Sequence, residues 1–147
     1  MPEEFKIKRR VQFAETDAAA IMHFANYYRM MEEVEHAFWR SIGMSVLTLY
    51  NEQHLSWPRV ATGCEYFAPA YFEDELELAL SIAKVGNRSV TYAVEFRRDG
   101  GRIAAGRTTA VCCTVSEGVF KPTPIPEGIR AKLRPLVQAT AAQASRR

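Results

Sequence analysis

Between Tyr27 and Ile42 the positions Tyr27, Met30, Met31, Val34, Ala37, Phe38, Ser41 and Ile42 return every three or four residues. They form one continuous stripe on a helix of 3.6 residues per turn. It is the longest helical pattern in the chain, and Gly43 supplies its stop. The start is expected between Phe24 and Asn26, with Asn26 as a capable N-cap, although Arg29 three residues later gives no capping box. Elsewhere the period is two. Phe5, Ile7, Arg9, Val11 and Phe13 alternate with Lys6, Lys8, Arg10 and Gln12, predicting a half-exposed strand with a basic outer face and one arginine on its apolar side. Val60 to Tyr66 reads as a strand after Pro58. Leu76, Leu78, Leu80 and Ile82 form the next, turned at Gly86-Asn87, and Val90, Tyr92, Val94 and Phe96 a further one. Asp99-Gly100-Gly101 is a hairpin signal leading into one long strand from Ile103 to Val115. Residues 44–57 are expected as a short helical turn and a loop. Pro122, Pro124 and Pro126 break the pattern before a short helix from Glu127 to Val137 and an Ala-rich tail expected to fray.

The order β, long α, four antiparallel β and terminal α predicts an α+β architecture: a long central helix against a sheet of about five strands, with Asp17 and His23 at the helix entrance. At 147 residues the chain is most simply a single domain, 1–147. A net charge of +2 carries no basic stripe of the kind nucleic acid requires, so no nucleic-acid partner is expected. No run approaches the ~20 apolar residues of a membrane helix, and no apolar signal core opens the chain; no membrane association and a cytoplasmic location are expected. Cys64, Cys112 and Cys113 are an odd set without metal-ligand spacing, read as buried small hydrophobes, and no metal or cofactor is expected. Gly-rich phosphate-binding loops are absent from the sequence.

Glu15-Thr16-Asp17 followed by Ala25-Asn26-Tyr27, together with Glu65-Tyr66, Pro69-Ala70 and Asp74-Glu75-Leu76, resembles the hotdog-fold acyl-CoA thioesterases of the 4-hydroxybenzoyl-CoA thioesterase-like group. The likeness spans roughly residues 5 to 120. The family's usual Gly three residues after the acid is Ala20 here, and its aromatic pair reads His23-Phe24. The resemblance implies a hotdog fold and hydrolysis of an acyl-CoA or aroyl-CoA thioester by a homodimer or homotetramer whose sites lie at subunit interfaces. It assigns to Asp17 the role of general base or nucleophile. Backbone N–H groups at the helix start, at Phe24, would serve as oxyanion donors.

His23 could bond Asp17 or substrate, carry a proton, or be satisfied by backbone. His36, opposite the apolar stripe, and His54, in a polar segment, are read as solvated. Glu32, Glu33 and Glu35 are read as surface acids, with Glu32 and Glu35 on a second helix face beside Tyr28 and Trp39. Asn26, Tyr27, Trp57 and Tyr66 are candidates for substrate binding, and Arg59, Arg88, Arg97 and Arg98 for CoA phosphates. Two other functions fit the same residues: a non-catalytic acyl-CoA binder, or a hotdog dehydratase or hydratase pairing His23 with Asp17 or Glu33.

Overall fold

Residues 3–138 are described by a computed structural model. The helix predicted by the apolar stripe is α1, Ala25–Ser41, 17 residues long. It ends as its sequence dictates. Gly43 takes φ +78°, its N–H reaches Arg40 O, and Met44 N–H reaches Trp39 O, the paired bonds of a Schellman cap. The start differs from expectation. Phe24 occupies the N-cap position, and Asn26 lies within the first turn with its side chain turned away to Glu15.

Among the described residues nine strands, all paired antiparallel, form two sheets. The larger takes β1 (Phe5–Arg10), β5 (Glu75–Val85), β6 (Ser89–Arg98), β7 (Gly101–Val111) and β4 (Arg59–Tyr66), in that spatial order. The smaller takes β2 (Thr48–Tyr50), β3 (Gln53–Ser56), β8 (Cys113–Ser116) and β9 (Val119–Pro122). The expected count of about five strands therefore describes the main sheet alone. Residues 44–57 carry β2 and β3 instead of a helical turn and loop, and the long strand expected to Val115 breaks at Cys112. C-terminally, α2 (Glu127–Leu133) passes into a 3₁₀ turn over Arg134–Leu136; the tail expected to fray lies outside the described residues.

The alternating residues of β5 and β6 meet in register, Leu78 opposite Phe96, Leu80 opposite Val94 and Ile82 opposite Tyr92, all buried. Helix α1 lays Tyr27, Met30, Met31, Val34, Phe38 and Trp39 into the same core. It comes close to the sheet at Gly106, where a Cβ would stand 2.5 Å from Met31 Sδ. The Asp99-Gly100 hairpin has φ of +52° and +81°, matching the twist of β6 and β7. At the sheet's far side β4 is an edge strand, exposed along seven of its eight residues.

One helix acid departs from the surface reading. Glu32 and Glu33 are well exposed, but Glu35 is 3% exposed and its Oε1 pairs with Arg59 at 2.8 Å. Glu35 Oε2, Trp39 Nε1 and Tyr92 Oη are buried without a hydrogen-bond partner among the described residues. Burial pushes the Glu35 carboxyl up despite the guanidinium beside it. His36 is half-buried rather than solvated, and desolvation pushes its pKa down. His54 is exposed, on β3.

Candidate active site

Beyond Arg10 the chain leaves the sheet, makes a 3₁₀ turn over Phe13–Glu15, and doubles back before entering α1. Thr16 and Met22 pair as an antiparallel bridge, so residues 17–21 form a closed loop. Asp17 sits at its first position. Its N–H donates to Ile21 O at 2.9 Å, its C=O accepts from Ala20 N–H at 2.9 Å, and Oδ1 accepts from Ala19 N–H at 2.8 Å. The other carboxylate oxygen has no hydrogen bond among the described residues. Asp17 is therefore fixed at its backbone and partly at its side chain, and is half-buried.

Ala20 lies at φ +64°, in the left-handed region where a Cβ costs about 1–2 kcal/mol. This is the physical reason that a Gly, which the resemblance leads one to expect at this position, would fit it. Ala20→Gly should raise stability by up to about 1 kcal/mol, the strain relieved being partly offset by added chain entropy. Urea unfolding measures it, and a loss of stability would contradict this loop geometry.

At the helix start, backbone donors are almost all occupied. His23 N–H donates to Glu15 O at 2.8 Å, Ala25 N–H to His23 Nδ1 at 3.1 Å, Asn26 N–H to His23 O at 3.0 Å and Tyr27 N–H to Phe24 O at 3.3 Å. Phe24 N–H alone in this turn has no partner among the described residues. It also stands at the positive end of a 17-residue helix.

An open cleft of about 530 Å³ is lined by Asp17, Ile21, Met22, Phe24, Tyr27, Tyr66, Phe67, Ala68 and Pro69. Its walls are mainly apolar, with one carboxylate at the rim. Tyr27 packs edge-on against Tyr66 with ring centroids 4.9 Å apart, and burial pushes its phenol pKa up. Tyr66 Oη donates to Phe24 O at 3.2 Å. Desolvation, with Cys64 and Tyr28 nearby, pushes the Tyr66 phenol up as well, so both tyrosines present neutral hydroxyls at neutral pH.

Four of the sequence candidates thus meet around one cleft: Asp17, Phe24, Tyr27 and Tyr66. The other three do not line it. His23 stacks on Phe24 at 4.6 Å and spends Nδ1 as an acceptor for the helix start, with no hydrogen bond to Asp17. Asn26 Nδ2 donates to Glu15 O at 2.8 Å. Trp57 is buried against Trp39, ring centroids 5.4 Å apart. Of the arginines, Arg59 is held by Glu35, Arg97 by Glu4, Glu77 and Glu95, and Arg98 by Asp74 and Pro69 O. Arg88 is exposed, and its side chain has no ion pair among the described residues. Sequence reasoning missed Phe67 and Ile21 as wall residues; Phe67 follows the Glu65-Tyr66 motif directly and was within its reach.

A protein from Aquifex aeolicus is 32% identical over 115 residues, covering 78% of this chain and 87% of its own. A 1,4-dihydroxy-2-naphthoyl-CoA hydrolase from Synechococcus is 26% identical, covering 87% of this chain and 99% of its own. The solved structure of a gentisyl-coenzyme A thioesterase superposes with a TM-score of 0.74 at 30% identity, covering 85% of this chain and 98% of that one. Residues 11–133, which include the Asp17 loop, α1 and the whole main sheet beyond β1, match the family model of the thioesterase-like superfamily, and the chain belongs to that superfamily, with its hotdog-type fold.

Proposed function

We propose that this thioester hydrolase cleaves acyl-CoA or aroyl-CoA thioesters with Asp17 as its reactive carboxylate and Phe24 N–H as an oxyanion donor. The observation that carries the reading is that Asp17 and Phe24 line one apolar cleft while Phe24 N–H is uncommitted. Water hydrolysis needs a group that removes a proton as oxygen attacks the thioester carbon. The Asp17 oxygen without a hydrogen bond can do so; alternatively it attacks directly and forms a mixed anhydride that water then opens. In either case negative charge develops on the carbonyl oxygen. One preorganised donor contributes about 2.7–4 kcal/mol to such a transition state, and a helix N-terminus adds its dipole. Collapse of the tetrahedral species breaks the C–S bond and expels CoA as its thiolate, a base weak enough to leave without a dedicated proton donor because a thiol has a pKa of about 8.5.

The acyl group lies against Tyr27, Tyr66 and Phe67, which suit flat aromatic rings as well as chains. His23 acts at the helix start as a backbone cap. The active form is a homodimer or larger, the exposed edge of β4 offering unpaired backbone for a second copy and bringing Tyr66 to the interface.

The test is thiol release from a panel of short, long and aromatic CoA esters, with sedimentation to determine the oligomer. Hydrolysis of at least one ester is expected. No hydrolysis with tight binding of one ester would instead mean a binder, and hydration of an enoyl-CoA would mean a hydratase.

A further inference from the structure

We propose that Arg9 is a positioning residue for Asp17, acting through Glu15 to fix the loop that carries the reactive carboxylate; this rests on the reading of Asp17 above. Arg9 is the residue that breaks the alternation of β1, standing on its inner side, and its side chain is 20% exposed. An inward arginine is costly unless its donors are satisfied. Its Nη1 donates to Glu15 Oε1 at 2.9 Å and to Arg10 O at 2.6 Å, its Nη2 donates to Glu15 Oε2, and its Nε donates to Glu33 Oε2 at 3.1 Å. The two-pronged contact gives Glu15 one orientation, which a single ammonium would not.

Glu15 is gripped from every other side too. Gln12 N–H donates to its Oε1 at 2.8 Å, while its C=O accepts from both Asn26 Nδ2 and His23 N–H at 2.8 Å. Burial by itself would raise the Glu15 carboxyl, but the hydrogen bonds from Arg9 and Gln12 hold it below the ordinary value. Strand β1, the 3₁₀ turn and the first turn of α1 are thereby tied through one residue, two positions before Asp17. Glu33 extends the tie by two helical turns. A reacting group misplaced by about 1 Å can cost 10²-fold in rate, so this brace sets how accurately Asp17 meets the thioester carbon.

The experiment compares Arg9→Met with Arg10→Met on the purified protein, using the best ester of the panel. Arg10 is the next residue on the same strand, points outward, and pairs with Glu75 at 3.3 Å and Glu73 O at 2.8 Å. Arg9→Met should lower kcat roughly ten- to a hundredfold with KM within about twofold, because substrate binding is left intact and alignment is lost. Arg10→Met should leave both unchanged. Asn26→Ala, which releases the Glu15 carbonyl, should lower kcat in the same way, and the double variant should lose less than the product of the two, since both act on one loop. Arg9→Lys should recover only part of the rate. Should Arg9→Met fail to fold, Arg9→Lys and Asn26→Ala give the same readout. Wild-type kcat in the Arg9 or Asn26 variants, a change in KM alone, or an equal kcat loss in Arg10→Met would overturn the proposal. If Asp17→Asn keeps full activity, it is the reading of Asp17 that fails.

Discussion

Asp17→Asn should lower kcat for CoA thioesters by about 10²–10⁴-fold, the range a positioned acid–base group supplies, while leaving the fold unchanged. The substitution is chosen for what it keeps. Asn retains an oxygen to accept Ala19 N–H, the contact that Asp17 Oδ1 makes at 2.8 Å, and the backbone bonds to Ile21 and Ala20 do not involve the side chain. The loop therefore stays closed, and only the negative oxygen is lost. KM should move little, because Tyr27, Tyr66 and Phe67 still line the cleft. Steady-state kinetics beside a thermal melt decide the matter: full turnover in Asp17→Asn would remove the carboxylate from the mechanism, whichever of base or nucleophile it was taken to be. Any residual rate would measure what the Phe24 N–H and binding contribute alone.

The largest effect on stability is expected at Arg59. Glu35 is 3% exposed, its Oε1 depends on Arg59, and its Oε2 has no hydrogen-bond partner among the described residues. Removing one member of a buried ion pair leaves an uncompensated charge and costs about 3–5 kcal/mol. The Arg59 side chain is 31% exposed, which places Arg59→Ala near the lower end, about 3 kcal/mol. The loss should depend on pH. Burial holds the Glu35 carboxyl above its unfolded value even with Arg59 present, so its contribution is complete below the ordinary carboxylate range and falls as pH rises through the raised pKa. Without Arg59 that pKa rises further, and the deficit should be larger at pH 8 than at pH 5. Arg59→Ala combined with Glu35→Leu should recover much of the stability, as apolar replacement of a buried pair usually does. Urea unfolding at the two pH values checks both points. A deficit that does not change with pH would mean that Glu35 does not titrate in this range.

Much of the main sheet and helix was legible in sequence because its signals are local. The stripe from Tyr27 to Phe38, the alternation of β5 and β6, Gly43 and Asp99-Gly100 each reflect a period or a φ that a few neighbouring residues specify. The smaller sheet was not legible for the same reason. β2 and β3 turn on Asn51-Glu52, both at positive φ without a glycine, and β8 and β9 turn on Glu117-Gly118, which alternation across Ile103–Val115 concealed. Trp39 and Glu35 fall outside a stripe centred on Val34, yet both are buried, with Trp57 packed against Trp39 and Arg59 paired with Glu35.

At the site, the sequence by itself offered Asp17, Phe24, Tyr27 and Tyr66 as candidates, and these four line one cleft. It also marked Arg9 as an inward charge, visible as a breach in the alternation of β1. What that charge meets was decided only in three dimensions. Arg9 and Glu33 are 24 residues apart and Tyr66 and Phe24 are 42 apart. Whether Asn26 caps its own helix or bonds Glu15, and whether Glu35 faces water or Arg59, depends on which strand and turn pack beside them. Local patterns fix the backbone's repeating geometry, but a hydrogen-bonding side chain takes the partner that folding brings within reach, and burial then makes leaving it unpaired too costly.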